Sequence, residues 1–118
     1  MRINITARRF KLSRKLKVYA EKEVSRLKKY YDGIIDVDII LSWEKMYRLA
    51  EINISVYGTI LTAHERSEEM IRSIDGAVDK LERQLKKYKD RRRGFAHRKI
   101  GNEQFVVSEE ESLKNEEV

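Results

Sequence analysis

The spacing of apolar residues changes along the chain, from a period of two to about 3.6, back to two, and again to about 3.6. At the start, Ile3 and Ile5 alternate with polar neighbours, which predicts a short β-strand. The next stretch predicts a helix, because apolar residues recur every three or four positions. These residues are Leu16, Ala20, Val24, Leu27 and Tyr31. Ser13 is placed to cap this helix, and Asp32 with Gly33 to end it.

Three further strands are predicted in the middle of the chain, where the period is two. One apolar row consists of Ile35, Val37, Ile39, Leu41 and Trp43, with Asp36, Asp38 and Ser42 on the opposite side. The next row consists of Ala50, Ile52, Ile54 and Val56. The segment "EKMY" (residues 44–47) predicts a hairpin connection, and Gly58 predicts a second turn before the strand "TILTAHER".

A second amphipathic helix follows, with Ser67 placed to cap it. Its apolar stripe consists of Ile71, Ile74, Val78, Leu81, Leu85 and Tyr88. The chain contains no proline that would interrupt any of these elements. The order β-α-β-β-β-α predicts an α+β fold, a four-stranded sheet with two helices packed on one face. This arrangement buries the apolar side of every element at once.

The regular pattern ends near Arg93, which divides the chain into a domain of residues 1–93 and a tail of residues 94–118. A length of 118 residues fits one domain with one modest core. Residues 103–118 carry a net charge of −5, so the first 102 residues carry +11 while the whole chain carries +6. We expect a flexible acidic tail or linker, with the alternative that "QFVV" docks as a short strand.

Each predicted helix carries basic residues on the side away from its apolar stripe. In the second helix these are Lys80, Arg83 and Lys87, and the charge continues through Arg91, Arg92 and Arg93. In the first helix they are Lys15, Lys22 and Lys29, which are seven residues apart, with Arg26 beside them. With both helices on one face of the sheet, these sides are neighbours and form one continuous positive surface.

Such a surface suits the phosphate backbone of a nucleic acid, because lysine offers a flexible charge and arginine a planar fork. Neutralising several phosphates releases counterions, which makes binding strong and dependent on salt. The sequence therefore favours RNA or DNA binding over a solvated helix face. Two alternatives stay open, a general double-stranded RNA-binding module and a protein-interaction module for an acidic partner.

The sequence offers no arrangement typical of an enzyme or a metal site. It has no cysteine, Gly-rich phosphate loop or nucleophile elbow. His64 and His97 have no neighbours at ligand spacing, and Asp36 and Asp38 fit a solvated strand face better than an acid–base pair. No apolar run is long enough for a membrane span or a signal peptide. We expect a cytoplasmic protein that is not an enzyme and has no cofactor, metal, membrane contact or small-molecule substrate.

Aromatic residues at the end of the first helix and near the hairpin are the other candidates for RNA contact, through stacking on bases. They are Tyr30, Tyr31, Trp43 and Tyr47, and packing in the core or at its rim explains each more simply. Gly76 is predicted to face away from the core. A tolerated exposed glycine is the favoured interpretation there, and close approach to an RNA backbone the alternative.

The segments "MRINITA" and "IDGAVDKLERQLKKYKD" give residues 1–93 a resemblance to the ribosome hibernation promoting factor family, also called ribosome-associated inhibitor or sigma-54 modulation proteins. The resemblance implies a fold similar in outline to double-stranded RNA-binding domains. It also implies binding to the small ribosomal subunit between head and body, across the messenger RNA and tRNA positions. The residues it places against ribosomal RNA are Lys22, Arg26, Lys29, Lys80, Arg83, Lys86 and Lys87.

Two departures from the family pattern bear on these expectations. The second helix opens with "EMIRS" where relatives often have an acidic-Met-Tyr-Ala-Ala run, and Arg72 adds a charge there. The ending "QFVVSEEE" resembles the inhibitor subtype, which keeps ribosomes as inactive single particles. An acidic linker also joins this domain to the dimerising domain of long forms. Both interpretations stay open, with a monomer expected for this domain and a dimer for a long form.

Overall fold

The computed structural model describes the backbone of residues 1–98 and the side chains of residues 1–90. Its elements follow the predicted order. They are β1 (Arg2–Arg8), α1 (Arg14–Ser25), a 3₁₀ turn (Arg26–Lys29), β2 (Asp36–Glu44), β3 (Tyr47–Val56), β4 (Thr59–Ser67) and α2 (Met70–Arg98). Residues 94–98 continue α2. Residues 99–118, most of the predicted acidic tail, lie outside the described residues.

The four strands form one sheet in the order β1-β2-β3-β4. β1 pairs with β2 in parallel, and β2, β3 and β4 pair as antiparallel hairpins. The parallel pair is possible because α1 carries the chain back to the start of the sheet. Both helices bury their apolar sides in one core with the same face of the sheet, so the predicted α+β architecture is confirmed. The opposite side of the sheet is called the open face below.

The core follows the predicted periodicities closely. Six residues of β2 and β3 that were predicted to share one face are buried: Val37, Ile39, Leu41, Ala50, Ile52 and Ile54. They face a buried stripe on α2 consisting of Ile74, Val78, Leu81, Leu85 and Tyr88. α1 adds Ala20 and Val24, and the 3₁₀ turn adds Leu27. Alternation in the strands and three-four spacing in the helices therefore predicted these buried positions correctly.

Three residues predicted to be apolar contacts of the core are exposed instead. Ile35 precedes the first residue of β2 and is 52% exposed, and Ile71 is 41% exposed. On α2 the buried position belongs to Met70, which lies four residues before Ile74 and so continues the stripe. Trp43, 42% exposed, lies near the hairpin between Phe10 at 5.1 Å and Arg48 at 4.2 Å.

The predicted cap of α1 is confirmed, whereas its predicted end is not. The Ser13 hydroxyl accepts a hydrogen bond from the Leu16 amide at 3.1 Å, as an N-cap does. The α-helix ends at Ser25, and the chain tightens into the 3₁₀ turn before Tyr30. The continuous α-helix predicted as far as Tyr31 is therefore wrong in its last part.

Ser67 lies at the end of β4, and its hydroxyl accepts a hydrogen bond from the Glu69 amide at 3.2 Å, before α2 begins at Met70. It stabilises the turn into the helix and is not the predicted N-cap. Both predicted hairpins are present. Gly58 has φ 89°, and the first hairpin turns at Lys45, with φ 55°, and Met46.

Candidate nucleic-acid interface

The basic residues of α1 and the 3₁₀ turn face solvent. Lys15, Lys22 and Lys29 are exposed, as their seven-residue spacing predicted. Arg26 is exposed too, with its guanidinium 2.6 Å from the Glu23 carboxylate. This hydrogen bond, together with the attraction of the Glu23 charge, raises the pKa of Arg26 above its ordinary value. A guanidinium has five N–H donors, so one bond to Glu23 leaves others for a phosphate.

α1 and α2 run side by side in the same direction. The Tyr19 hydroxyl donates to the Asp75 carboxylate at 2.5 Å, and Lys86 Nζ lies 5.2 Å from the centre of the Tyr30 ring. Both pairs join residues 56 positions apart in the sequence. The residue numbers therefore increase in the same direction along both helices, which makes the helices parallel. The C-terminal part of α2 therefore lies beside the 3₁₀ turn that follows α1.

This parallel packing gathers basic residues from both chain segments at one end of the helical layer, called the basic end below. It consists of Arg26, Lys28, Lys29, Arg83, Lys86, Lys87 and Lys89, all exposed or half-buried. Lys28 and Lys89 were missed by sequence reasoning. They line one cleft with Tyr30 and Tyr31, and only the packing of the 3₁₀ turn beside α2 brings them together.

Lys80 lies in a different place from the one predicted. Its Nζ donates to the His64 carbonyl at 2.9 Å and lies 3.4 Å from the Glu65 carboxylate, and its side chain is only 26% exposed. Lys80 thus ties α2 to the edge strand β4, on the flank away from α1. Gly76 lies on that flank too and is covered by the Glu65 side chain, so the exposed glycine that was predicted is wrong.

Acidic residues interrupt the continuous positive surface that the sequence predicted. Asp79 is exposed on α2, and Asp75, Glu23 and Glu82 lie near the contact between the helices. Glu82 pairs with Lys86 at 3.4 Å. Positive charge is therefore concentrated at the basic end. Helical rise puts Lys15, near the start of α1, roughly 20 Å from Lys29.

Arg91 and Arg92, also predicted to contact RNA, belong to the last part of α2. Their side chains lie outside the described residues, so their role stays a prediction. The side chain of His97, which has no neighbour at ligand spacing in the sequence, also lies outside the described residues. The helix in which these residues lie continues from Lys86, Lys87 and Lys89, which places their backbone beyond the basic end.

The described residues contain no cluster of three His, Cys, Asp or Glu side chains that could hold a metal ion. His64 is exposed on the open face, with Nδ1 4.0 Å from Glu51. Asp36 is paired with Arg2 at 2.8 Å, and this hydrogen bond lowers the pKa of the Asp36 carboxyl. None of the helices within residues 1–98 is both long and apolar enough to cross a membrane.

Comparison with known families matches residues 3–93 to the family described as "Sigma 54 modulation protein / S30EA ribosomal protein". Among curated proteins, the chain is 34% identical over 91 residues to the ribosome hibernation promoting factor of Klebsiella oxytoca. That match covers 77% of this chain and 96% of the relative. It is 32% identical over 91 residues to the protein of the same name from Escherichia coli K12, with the same coverage.

Solved structures give the same result. A ribosomal subunit interface protein from Coxiella burnetii superposes with a TM-score of 0.73 at 30% identity, covering 76% of this chain and 99% of that one. The N-terminal domain of Protein Y from Thermus thermophilus superposes with a TM-score of 0.70 at 30% identity, covering 75% and 99%. The fold and the sequence thus point to one family.

Proposed function

Because the chain belongs to the family of sigma 54 modulation proteins and S30EA ribosomal proteins, we propose that it is a ribosome hibernation factor. Its basic end docks on RNA of the small ribosomal subunit, in the channel that messenger RNA and tRNA use. The names of its relatives, ribosome hibernation promoting factor and ribosomal subunit interface protein, support the ribosome as partner. The basic end is the observation that supports RNA as the docking surface.

The basic end has the chemistry to bind a folded RNA without reading its sequence. Lysine ammonium groups and arginine guanidinium groups contact phosphates, and neither distinguishes one base from another. Each phosphate that is neutralised releases condensed counterions, which drives binding and makes it sensitive to salt. Since the residues sit on a rigid pair of packed helices, the backbone loses little conformational freedom on binding.

Inhibition by occupancy follows from this mode of binding. A folded domain held in the channel excludes messenger RNA and tRNA by volume, so no bond has to be made or broken. The inhibition is reversible, and its strength is set by affinity and concentration. Competing messenger RNA, tRNA or raised salt should therefore release the protein.

The test is charge reversal at the basic end. In the triple variant Lys29→Glu, Arg83→Glu and Lys87→Glu, we expect binding to small subunits to weaken by on the order of 100-fold, because three phosphate contacts become repulsive. Co-sedimentation of the variant with purified small subunits over a concentration series measures the change. Circular dichroism checks that the fold is retained.

The chain offers a control that is matched in charge. Lys11→Glu, Arg14→Glu and Lys17→Glu change three exposed residues near the start of α1, far from the basic end. Its net charge changes by the same amount, so a general loss of positive charge would affect both variants equally. Equal losses, or normal sedimentation of the basic-end variant, would show that the docking surface is elsewhere.

A further inference from the structure

A shallow groove of about 340 Å³ crosses the open face of the sheet near the β2–β3 hairpin. Its floor includes the half-buried side chains of Ile40, Ser42 and Leu49. Arg8 on β1 and Arg66 on β4 stand at its two sides, and both are exposed. This groove lies on the opposite side of the sheet from the basic end and takes no part in the docking described above.

The strand register explains why the two arginines flank the groove. Arg8 is opposite Ser42, Ser42 is opposite Leu49, and Leu49 is opposite Arg66, so the four residues form one row across the sheet. Residues in one row point to the same face. With neighbouring strands about 4.8 Å apart, the Cα atoms of the two arginines are roughly 14 Å apart. A small apolar floor thus lies between two cations.

Acidic residues at the border of the groove already have partners. Glu44 lies 3.2 Å from the Arg9 guanidinium. Glu51 accepts a hydrogen bond from the Asn53 amide at 3.2 Å and lies 4.0 Å from His64. These contacts reduce the competition that carboxylates would offer to an anionic ligand in the groove.

The flanking arginines are available to a ligand. Among the described residues, neither Arg8 nor Arg66 has a carboxylate within salt-bridge distance. Arg66 lies over the Tyr47 ring at 4.6 Å, which holds its planar group in place while the N–H donors along its edge stay accessible. A phosphate is the ligand that such donors suit best.

We propose that this groove binds an unpaired nucleotide of RNA. The base lies on the floor formed by Ile40 and Leu49, and the flanking phosphates are held by Arg8 and Arg66. The inference rests on the proposed function, since the RNA is the one on which the basic end docks. Contact through opposite sides of the sheet means that the protein is held within an RNA-lined cleft, rather than resting on one surface.

The chain's own tail is the rival occupant, because Phe105, Val106 and Val107 precede three glutamates there. Gly76 of α2 lies beside Glu65 of β4, level with the groove. From Gly76 to Arg98 the helix rises by roughly 33 Å. Even the nine residues from Arg98 to Val107 reach back at most about 32 Å, and the chain would still have to pass around the sheet to its open face. The apolar part of the tail therefore does not reach the groove of its own chain.

The first test uses the absence of cysteine from the chain, which lets a single introduced thiol carry a photo-crosslinker. Ser42→Cys places the thiol in the floor of the groove. Ser55→Cys is its matched control, because Ser55 is also half-buried on the open face but lies roughly 20 Å away along β3. Both variants are labelled with azidophenacyl bromide, bound to ribosomes, pelleted and irradiated.

We expect the Ser42→Cys adduct to attach to ribosomal RNA in much higher yield than the Ser55→Cys adduct. Attachment only to ribosomal protein or to a second copy of the chain, equal RNA yields at both positions, or no attachment from a pelleted complex would each overturn the proposal. Failure of the unmodified protein to pellet would instead overturn the proposed function, and the inference with it.

The second test measures affinity. The double variant Arg8→Gln and Arg66→Gln should bind ribosomes about tenfold more weakly, and its salt slope should fall by roughly 1.4, about 0.7 for each lost phosphate contact. Arg2→Gln with Arg72→Gln is the charge-matched control, because both arginines are exposed and already paired with carboxylates.

Equal affinities for these two double variants would contradict the proposal that the groove binds RNA. If the groove variant binds weakly while the basic-end triple variant binds normally, RNA binding by the groove is supported and the docking surface proposed for the helices is wrong. The opposite result supports the proposed function and contradicts RNA binding by the groove. The affinity measurements therefore distinguish failure of the groove proposal from failure of the basic end as docking surface.

Discussion

Lys80 and Lys87 are separated by about two turns of the helix, so they lie on the same side of it. Nothing in the sequence distinguishes their roles. In the structure Lys80 extends back to β4, where its Nζ meets the His64 carbonyl and the Glu65 carboxylate. Lys87 lies at the basic end. At the scale of single residues, then, one lysine of this row holds the fold together and the other is the stronger candidate for RNA contact.

This difference predicts opposite effects of two matched substitutions. Lys80→Ala should lower the free energy of unfolding by about 1 kcal/mol, because it removes a charged hydrogen bond to the edge strand. Lys87→Ala should leave stability nearly unchanged and weaken ribosome binding. Urea unfolding and co-sedimentation of both variants provide the measurements. Equal destabilisation by the two substitutions would contradict the role given to Lys80.

The hydrogen bond between Tyr19 and Asp75 predicts a pH dependence of stability. It is the main reason that the pKa of Tyr19 rises to about 12, and burial and the Asp75 charge add to it. An unfolded tyrosine has a pKa of about 10. Since the folded pKa is the higher one, the stabilisation is complete below about pH 10 and is lost as pH rises towards about 12.

Substitution of Tyr19 by Phe tests this prediction, because the phenyl ring has no proton to lose. Urea unfolding between pH 8 and 12 should show the stability of the unmodified protein falling towards that of Tyr19→Phe. Tyr47→Phe is the control, because it changes an exposed tyrosine at the hairpin. Its stability should fall with pH in the same way as that of the unmodified protein. Parallel pH curves for the unmodified protein and Tyr19→Phe would exclude the proposed linkage.

At the scale of elements, the packing of α2 against β4 depends on a close approach at Gly76. A Cβ at this position would lie 2.5 Å from the Glu65 carboxylate and 2.7 Å from its Cγ. Alanine is a better helix former than glycine by about 1 kcal/mol, so the two effects oppose each other. The clash involves Cγ as well as the end of the side chain, and Glu65 would have to leave Lys80 to relieve it.

A double-mutant cycle separates the two effects. Gly76→Ala alone should lower the melting temperature, because Glu65 is displaced. In the Glu65→Ala background, the same substitution should raise stability by about 1 kcal/mol, the difference in helix propensity. Thermal unfolding of the four proteins completes the cycle. If Gly76→Ala has the same effect in both backgrounds, Glu65 does not determine the need for glycine.

At the scale of the whole molecule, charge is divided between a basic body and an acidic C-terminal segment. The first 102 residues carry +11 and residues 103–118 carry −5. A segment of that charge lowers the attraction of the body for RNA whether it folds or not, since it repels phosphates within a Debye length of about 10 Å at 0.1 M salt. Full-length protein should therefore bind less tightly than the body alone.

Truncation after Asn102 tests this expectation. The shortened protein should bind ribosomes severalfold more tightly at low salt, and the advantage should disappear near 1 M salt, where the Debye length is about 3 Å. Replacing the six glutamates of this segment by Gln in the full chain separates charge from length. Identical affinities of the truncated and full-length proteins across the salt series would show that the segment has no electrostatic role.

Much of this fold was predictable from local patterns of apolar residues, and the predictions that were wrong have local causes as well. The alternation through Ile39 and Ile52 located two strands and the side of each that is buried. Ile71 and Met70 both satisfied the helical spacing, three and four residues before Ile74, and the structure buries Met70. Trp43 continued the alternation of its strand into a region near the hairpin, where Phe10 and Arg48 pack beside it.

Local spacing along the chain was enough to predict the order of the strands and helices, the apolar side of each, and the basic residues on the other side of both helices. These properties depend on residues that are close together in the sequence, within one element, so the sequence alone is enough to predict them. Packing in three dimensions, by contrast, made the helices parallel, so that Lys86 lies over the Tyr30 ring, and brought Lys80 back to β4. It also decided that Arg8 and Arg66 flank one groove. Such placements depend on the offset between elements, which is fixed by packing across the whole core and not by spacing within any one of them.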